Sequence, residues 1–134
     1  MFARSLMDCG TNIMLRLACK AAASSTHSKH HIGALVVKGG RVLSSASNKV
    51  GRGCKLISNK RWENTLHAEA NAILQLVKHG RQHELVGATV YVARVKKGRS
   101  LLAAPCPHCY KLCQDVGIKY VVYSTQEGSE KMKC

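Results

Sequence analysis

The sequence predicts an α/β domain with a mixed sheet, and three observations carry the prediction. Gly39-Gly40 joins two runs as a tight hairpin would. Leu66, Ala70, Ile73, Leu74 and Val77 recur at helical spacing. A strand, a helix and a strand follow one another from Ala88 to Ser124, which calls for a right-handed parallel crossover. At 134 residues, the chain is expected to be a single domain, 1–134, with a polar tail over 125–134.

Taken in order, Ile13, Leu17, Cys19 and Ala21 set a helix from Thr11 to about Ala23, with Thr11 or Asn12 as its cap. Ser24 to His31 is polar and reads as a loop; His27, His30 and His31 within it are most simply solvated. Gly33 to Val37 is a buried strand, Lys38-Gly39-Gly40-Arg41 a turn, and Arg41 to Ser47 the returning strand. Asn48 to Asn64, with Lys49, Arg52, Lys55, Lys60 and Arg61, reads as a long basic loop, and loops of that length are usually functional. A helix follows, with His67 and Glu69 in its first turn and Gly80 as terminator. After the Ala88–Ala93 strand, Arg94 to Leu102 reads as a second basic loop. Pro107 to Val116 is a helix stopped by Gly117, and Lys119 to Ser124 a strand. The tail from Thr125 to Cys134 has no pattern that selects an element.

Composition narrows the class. With 46% apolar and 21% charged residues the chain can bury a core, and no apolar run reaches bilayer length. The stretch Met1 to Asp8 lacks a signal-peptide core. Seven cysteines, an odd number with no paired framework, point to a reducing, intracellular, cytoplasmic setting. A net charge of +14 implies attraction for polyanions.

The chemistry is carried by two motifs. His67-Ala68-Glu69 and Pro105-Cys106-Pro107-His108-Cys109 give H-x-E followed by P-C-x-x-C, the pattern of zinc-dependent nucleobase deaminases. Both fall at helix starts, where the dipole and free N–H groups favour thiolate over thiol. Cys106 and Cys109, three apart, share a helix face, and His67 completes three ligands for Zn²⁺. Three protein ligands leave a fourth position for water, which marks a catalytic site. Glu69 is poorly directed as a ligand and well suited to move protons.

On these residues the chain resembles the cytidine/deoxycytidylate deaminase superfamily. The likeness extends to Ile32 through Val37, the Gly39-Gly40 turn, Asn48 and Gly117 through Tyr123. His67 to Ile73 and Pro105 to Leu112 look most like the deoxycytidylate branch. The resemblance implies a three-layer α/β/α sandwich and hydrolysis of cytosine to uracil in a nucleotide or nucleoside, with release of ammonia. It assigns zinc to His67, Cys106 and Cys109, proton shuttling to Glu69, and substrate contact to Asn48 and the backbone near Ala34 and Ala68. The chain ends at Cys134, where the family continues through a further helix and strand. The sheet is therefore expected to lack its last strand, and a bare edge would pair with another chain as a homo-oligomer.

Other readings stay open on the residues. A deaminase acting on cytosine, or less readily adenine, in single-stranded nucleic acid would use the basic loops as a track and stack Trp62 on a base. Trp62 could equally cover the core. An inert nucleic-acid-binding zinc module would need a fourth ligand, for which Cys113 and His108 are the local candidates. Cys113 is expected in the core, and His108 at the solvent or the site mouth.

Overall fold

The computed structural model describes residues 12–26, 31–50, 65–97 and 99–134. Their main sheet runs in the order β2-β1-β5-β7-β8, with β6 paired to β5. Its strands are β1 (His31–Lys38), β2 (Arg41–Ser47), β5 (Thr89–Lys96), β6 (Arg99–Leu101), β7 (Tyr120–Thr125) and β8 (Gly128–Lys133). A two-stranded ribbon pairs β3 (Lys49–Val50) with β4 (Thr65–Leu66). The helices are α1 (Ile13–Ala22), α2 (Ala68–Lys78) and α3 (Pro107–Asp115), with a 3₁₀ turn at Gln82–Leu85.

Only β5 and β7 are parallel, joined through α3; every other pair is antiparallel. The sheet is mixed, as the sequence predicts. Strand alternation sends Leu35, Val37, Ala93 and Val122 to one face, where they meet Leu15, Ala18 and Cys19 of α1. Ala34, Val36, Val90, Val92 and Val121 go to the other face, against α2 and Leu112 and Cys113 of α3. The result is the expected α/β/α sandwich. Because β1 is covered on both faces, Gly33 to Val37 is continuously buried.

Three glycines are required by this geometry. Gly39 and Gly40 have φ of 59° and 77°, the pair of left-handed residues that a two-residue hairpin needs. At Gly33 a Cβ would lie 2.0 Å from the Ala18 carbonyl oxygen, so only glycine lets α1 pack this close to β1.

The structure corrects the sequence reading in two places. Residues 94–102 are not a loop. β5 continues to Lys96, and β6 returns beside it with Arg94 opposite Leu101 and Lys96 opposite Arg99. The polar tail forms β8, which covers the β7 edge expected to be bare. Met132 and Cys134 pack against the core on one face while Lys131 and Lys133 remain exposed.

One buried side chain holds the fork where β6 and β7 share β5. The Ser124 hydroxyl donates to the Leu101 carbonyl (2.7 Å) and accepts from the Arg94 N–H (3.1 Å). Ser100 adds a bond to the Thr125 carbonyl at 2.8 Å. The extension of β5 is thereby tied to the sheet.

Candidate metal centre and active site

The N-termini of α2 and α3 meet at the end of the sheet where β5 and β7 finish. His67 is the N-cap of α2, and its side chain makes no capping hydrogen bond. Cys106 is the N-cap of α3, with Pro107 directly after it, and its sulfur accepts from the Cys109 N–H at 3.5 Å. The imidazole and both thiols therefore converge from two helix starts. His67 Nδ1 lies 3.4 Å from Cys109 Sγ and 3.8 Å from Cys106 Sγ, and the three donor atoms fall within 4.8 Å of one another. Tetrahedral Zn–S and Zn–N bonds of ~2.3 and ~2.0 Å require an N···S separation of about 3.5 Å, so these residues fit zinc.

Among the described residues, Cys113, His108 and Glu69 fall outside that three-residue group. Cys113 is fully buried in the core on α3, and burial pushes its thiol up. His108 is half-buried at the start of α3.

The electrostatics of the two thiols differ. The Cys106 pKa is lowered to about 4, chiefly because the Cys109 thiol donates to it, with His67 and the Cys109 N–H adding to the effect against partial burial. Cys109 is pushed up by the same bond, which its ionisation would forfeit, and then by burial. In the absence of metal the pair carries its charge on Cys106.

Glu69 stands in the first turn of α2 and is 4% exposed. Burial raises its carboxyl, and the charge on Cys106 raises it further. Its own backbone N–H, His67 and a bond from the Cys109 thiol oppose the rise. Its burial against this cluster thus favours the neutral carboxyl more than an exposed acid's surroundings would.

Asn48 is buried at the same end. Its Oδ1 accepts from the Ile32 N–H (3.0 Å), and its own N–H donates to the Ile32 carbonyl (3.1 Å). Ala68 follows His67 in α2, and Ala34 lies two residues inward from Ile32 in β1; both are fully buried in one core cluster. Ala34 is in register between Ala46 and Val92, so it lies within the sheet rather than on an open surface. Trp62 and most of the first basic loop lie outside the described residues. The two ends of that loop are joined where Val50 pairs with Thr65, two residues before His67.

Sequence reasoning missed Asn71. Its Nδ2 donates to the Ser47 carbonyl at 2.9 Å in a buried setting, and Gln75 donates to its Oδ1 at 3.2 Å. Asn71 thus locks the end of β2, next to Asn48, onto the helix that carries His67 and Glu69. The available signal was a polar residue on a stripe otherwise filled by Ala70, Ala72 and Ile73.

The sandwich and the His/Cys/Cys cluster together define a zinc-binding domain of the nucleobase-deaminase class. The chain belongs to the family described as the cytidine and deoxycytidylate deaminase zinc-binding region, whose profile matches residues 11–125. It is 41% identical over 61 residues to the deoxycytidylate deaminase of Enterobacteria phage T2, covering 46% of this chain and 27% of that protein. The chain thus spans about a quarter of the length of the curated relatives it matches. The dCMP deaminase of cyanophage S-TIM5 superposes with a TM-score of 0.62 at 26% identity, over 82% of this chain and 78% of that one. That protein is also known in complex with dCMP and dUMP. Cytidine deaminase from Mycobacterium tuberculosis shares the fold, with a TM-score of 0.60 at 21% identity over 91% and 89% of the two chains. Among the described residues, no helix is long and apolar enough to cross a membrane.

Proposed function

We propose that this chain, as one domain spanning residues 1–134, is a zinc-dependent hydrolytic deaminase of the deoxycytidylate type. It converts cytosine to uracil in a free nucleotide and releases ammonia. The observation that carries the reading is Glu69, buried beside three donor atoms at zinc spacing. A structural site has no use for an unliganded carboxyl in that position. The 26% identity to a dCMP deaminase over most of both chains supports the choice of substrate.

In this assignment His67, Cys106 and Cys109 hold the metal. Bound zinc supplies Lewis acidity, which brings the pKa of water towards ~7 in favourable sites. Glu69 takes the proton from the attacking water and passes protons to the ring nitrogen and the departing amine. Burial raises the carboxyl above the ordinary carboxylate range, the direction that favours holding the proton between the two transfers. The balance is cytosine plus water to uracil plus ammonia. Asn48 and the backbone near Ala34 and Ala68 contact the nucleoside, and Trp62 is assigned to the substrate as a stacking residue. The free thiols Cys19, Cys113 and Cys134 suit a reducing, cytoplasmic setting. A homo-oligomer would form through β2 or β8, the outer strands of the sheet.

The test is ammonia release by zinc-loaded protein given cytidine, dCMP, dCTP, and single-stranded DNA and RNA in parallel. Turnover of dCMP that is absent in Glu69→Ala supports the reading. Turnover confined to polymers would replace it with a nucleic-acid deaminase, and silence throughout would leave a zinc-binding module.

A further inference from the structure

We propose that the β5–β6 hairpin forms a phosphate-binding rim for single-stranded nucleic acid beside the metal centre. The hairpin concentrates Arg94, Lys96, Lys97 and Arg99 with no acid between them. Its place in the sheet sets where that charge goes. Val90 and Val92 of β5 face the core on the α2–α3 side, so alternation places Arg94 and Lys96 on that same side, beyond the last core residue. Arg99 is opposite Lys96 in the ladder and joins the same face. This is the face and the end of the sheet at which α2 and α3 begin. Ile32 links the two regions: it bonds Asn48 on one side and is in register with Arg94 on the other.

The hairpin is also held in place. Ser124 bonds the Arg94 N–H and the Leu101 carbonyl, and Ser100 bonds the Thr125 carbonyl. Lys96, Lys97 and Arg99 are exposed. The turn keeps Lys97 at a φ of 51°, the one positive value for a non-glycine residue among those described. A charged side chain retained where glycine or asparagine would be easier fits a role in binding.

Two acids among the described residues are held in ion pairs. Glu84 is bonded by Arg81 at 3.1 Å, and Asp115 by Lys111 at 3.4 Å, both towards the opposite end of the sheet. Glu127 and Glu130 lie on the neighbouring β7–β8 hairpin, which also carries Lys131 and Lys133. A single nucleotide in the site has few phosphates to offer. A rim of several cations continuing past the site suits the successive phosphates of a strand. The choice of a polynucleotide over another polyanion rests on the nucleotide-site reading above; the binding itself does not depend on turnover.

The experiment measures binding of a fluorescein-labelled oligothymidylate, which has no cytosine, to zinc-loaded protein by anisotropy between ~50 and ~200 mM NaCl. Two triple variants are compared. One is Lys96→Gln, Lys97→Gln, Arg99→Gln. The other removes three cations at the far end: Lys38→Gln, Arg41→Gln, Lys78→Gln. Zinc content and circular dichroism establish that both are folded. At a slope of about −0.7 per phosphate contact, the hairpin variant is expected to flatten the dependence of log K on log salt by about 2, and the control by much less. Equal losses in the two variants would mean diffuse charge and overturn the proposal, as would no loss in either. Loss of dCTP affinity with oligonucleotide affinity intact would also overturn it, assigning the hairpin to a nucleotide's own phosphates. Because the probe cannot be deaminated, binding without dCMP turnover would count against the deaminase reading alone.

Discussion

Helix α1 and helices α2 and α3 begin in different ways. Asn12 caps α1 by accepting the Leu15 N–H at 3.1 Å, as a stabilising cap should. His67 occupies the same position on α2 and caps nothing, while Cys106 on α3 caps with a sulfur that also faces His67 and Cys109. A good cap is worth ~1 kcal/mol. Helix α2 forgoes it and presents a candidate metal ligand, so among the described residues two helix starts converge on the His/Cys/Cys cluster and one serves the fold.

That contrast yields graded tests. The largest effect is expected for Cys109→Ser. Bound zinc, measured by mass spectrometry, should fall from one per chain to none, and turnover of dCMP to background. If zinc were retained, the convergence of helix starts would not be a metal site.

Thiol reactivity is the next largest. With Cys106 lowered to about 4, metal-free protein should be alkylated by iodoacetamide at a nearly constant rate from ~pH 5.5 to ~8.5, because the thiolate is already formed. An ordinary thiol would gain about tenfold per pH unit below its pKa of ~8.5. Peptide mapping should locate the label on Cys106, leave buried Cys113 unmodified, and show protection by zinc.

Asn71→Asp removes the donor to the Ser47 carbonyl and places an acceptor against it. The expected cost is about 1–3 kcal/mol in denaturant unfolding. As a positioning residue it should raise KM for dCMP more than it lowers kcat, because Asn48 shifts while Glu69 stays. A fall in kcat alone would assign Asn71 a different role.

The smallest effects separate the two kinds of helix start. Asn12→Ala should cost ~1 kcal/mol with or without zinc. His67→Ser should do the reverse in metal-free protein, recovering ~1 kcal/mol by supplying the missing cap, while zinc binding is lost. A destabilised metal-free His67→Ser would show that His67 already supports the fold.

The sequence made legible those parts in which one residue type does one job. Gly39-Gly40 marked the hairpin, the apolar spacing marked α2, and Pro107 and Gly117 bracketed α3. His67, Cys106 and Cys109 could be named as a cluster because their motif spacing follows from the helix starts that present them. The β5–β6 hairpin was hidden, because the end of β5 and the start of β6 carry Arg94, Lys96 and Arg99 and the turn places Lys97 where glycine or asparagine is expected. β8 was hidden for a related reason: its pairing is main-chain bonding to β7, and only Met132 and Cys134 give it an apolar side. Gly33, Asn71 and Ser124 act through contacts with residues distant in sequence, which no local pattern reveals.

Glu69 is proposed to perform chemistry beside a metal that it does not itself ligate. The direct measurement is zinc content and dCMP turnover on the same preparations of wild-type and Glu69→Gln protein. Equal zinc in both is expected, with a fall in kcat of about 10²–10⁴ in the variant. Loss of zinc in Glu69→Gln would make Glu69 part of the metal site, and unchanged turnover with zinc retained would contradict its catalytic role.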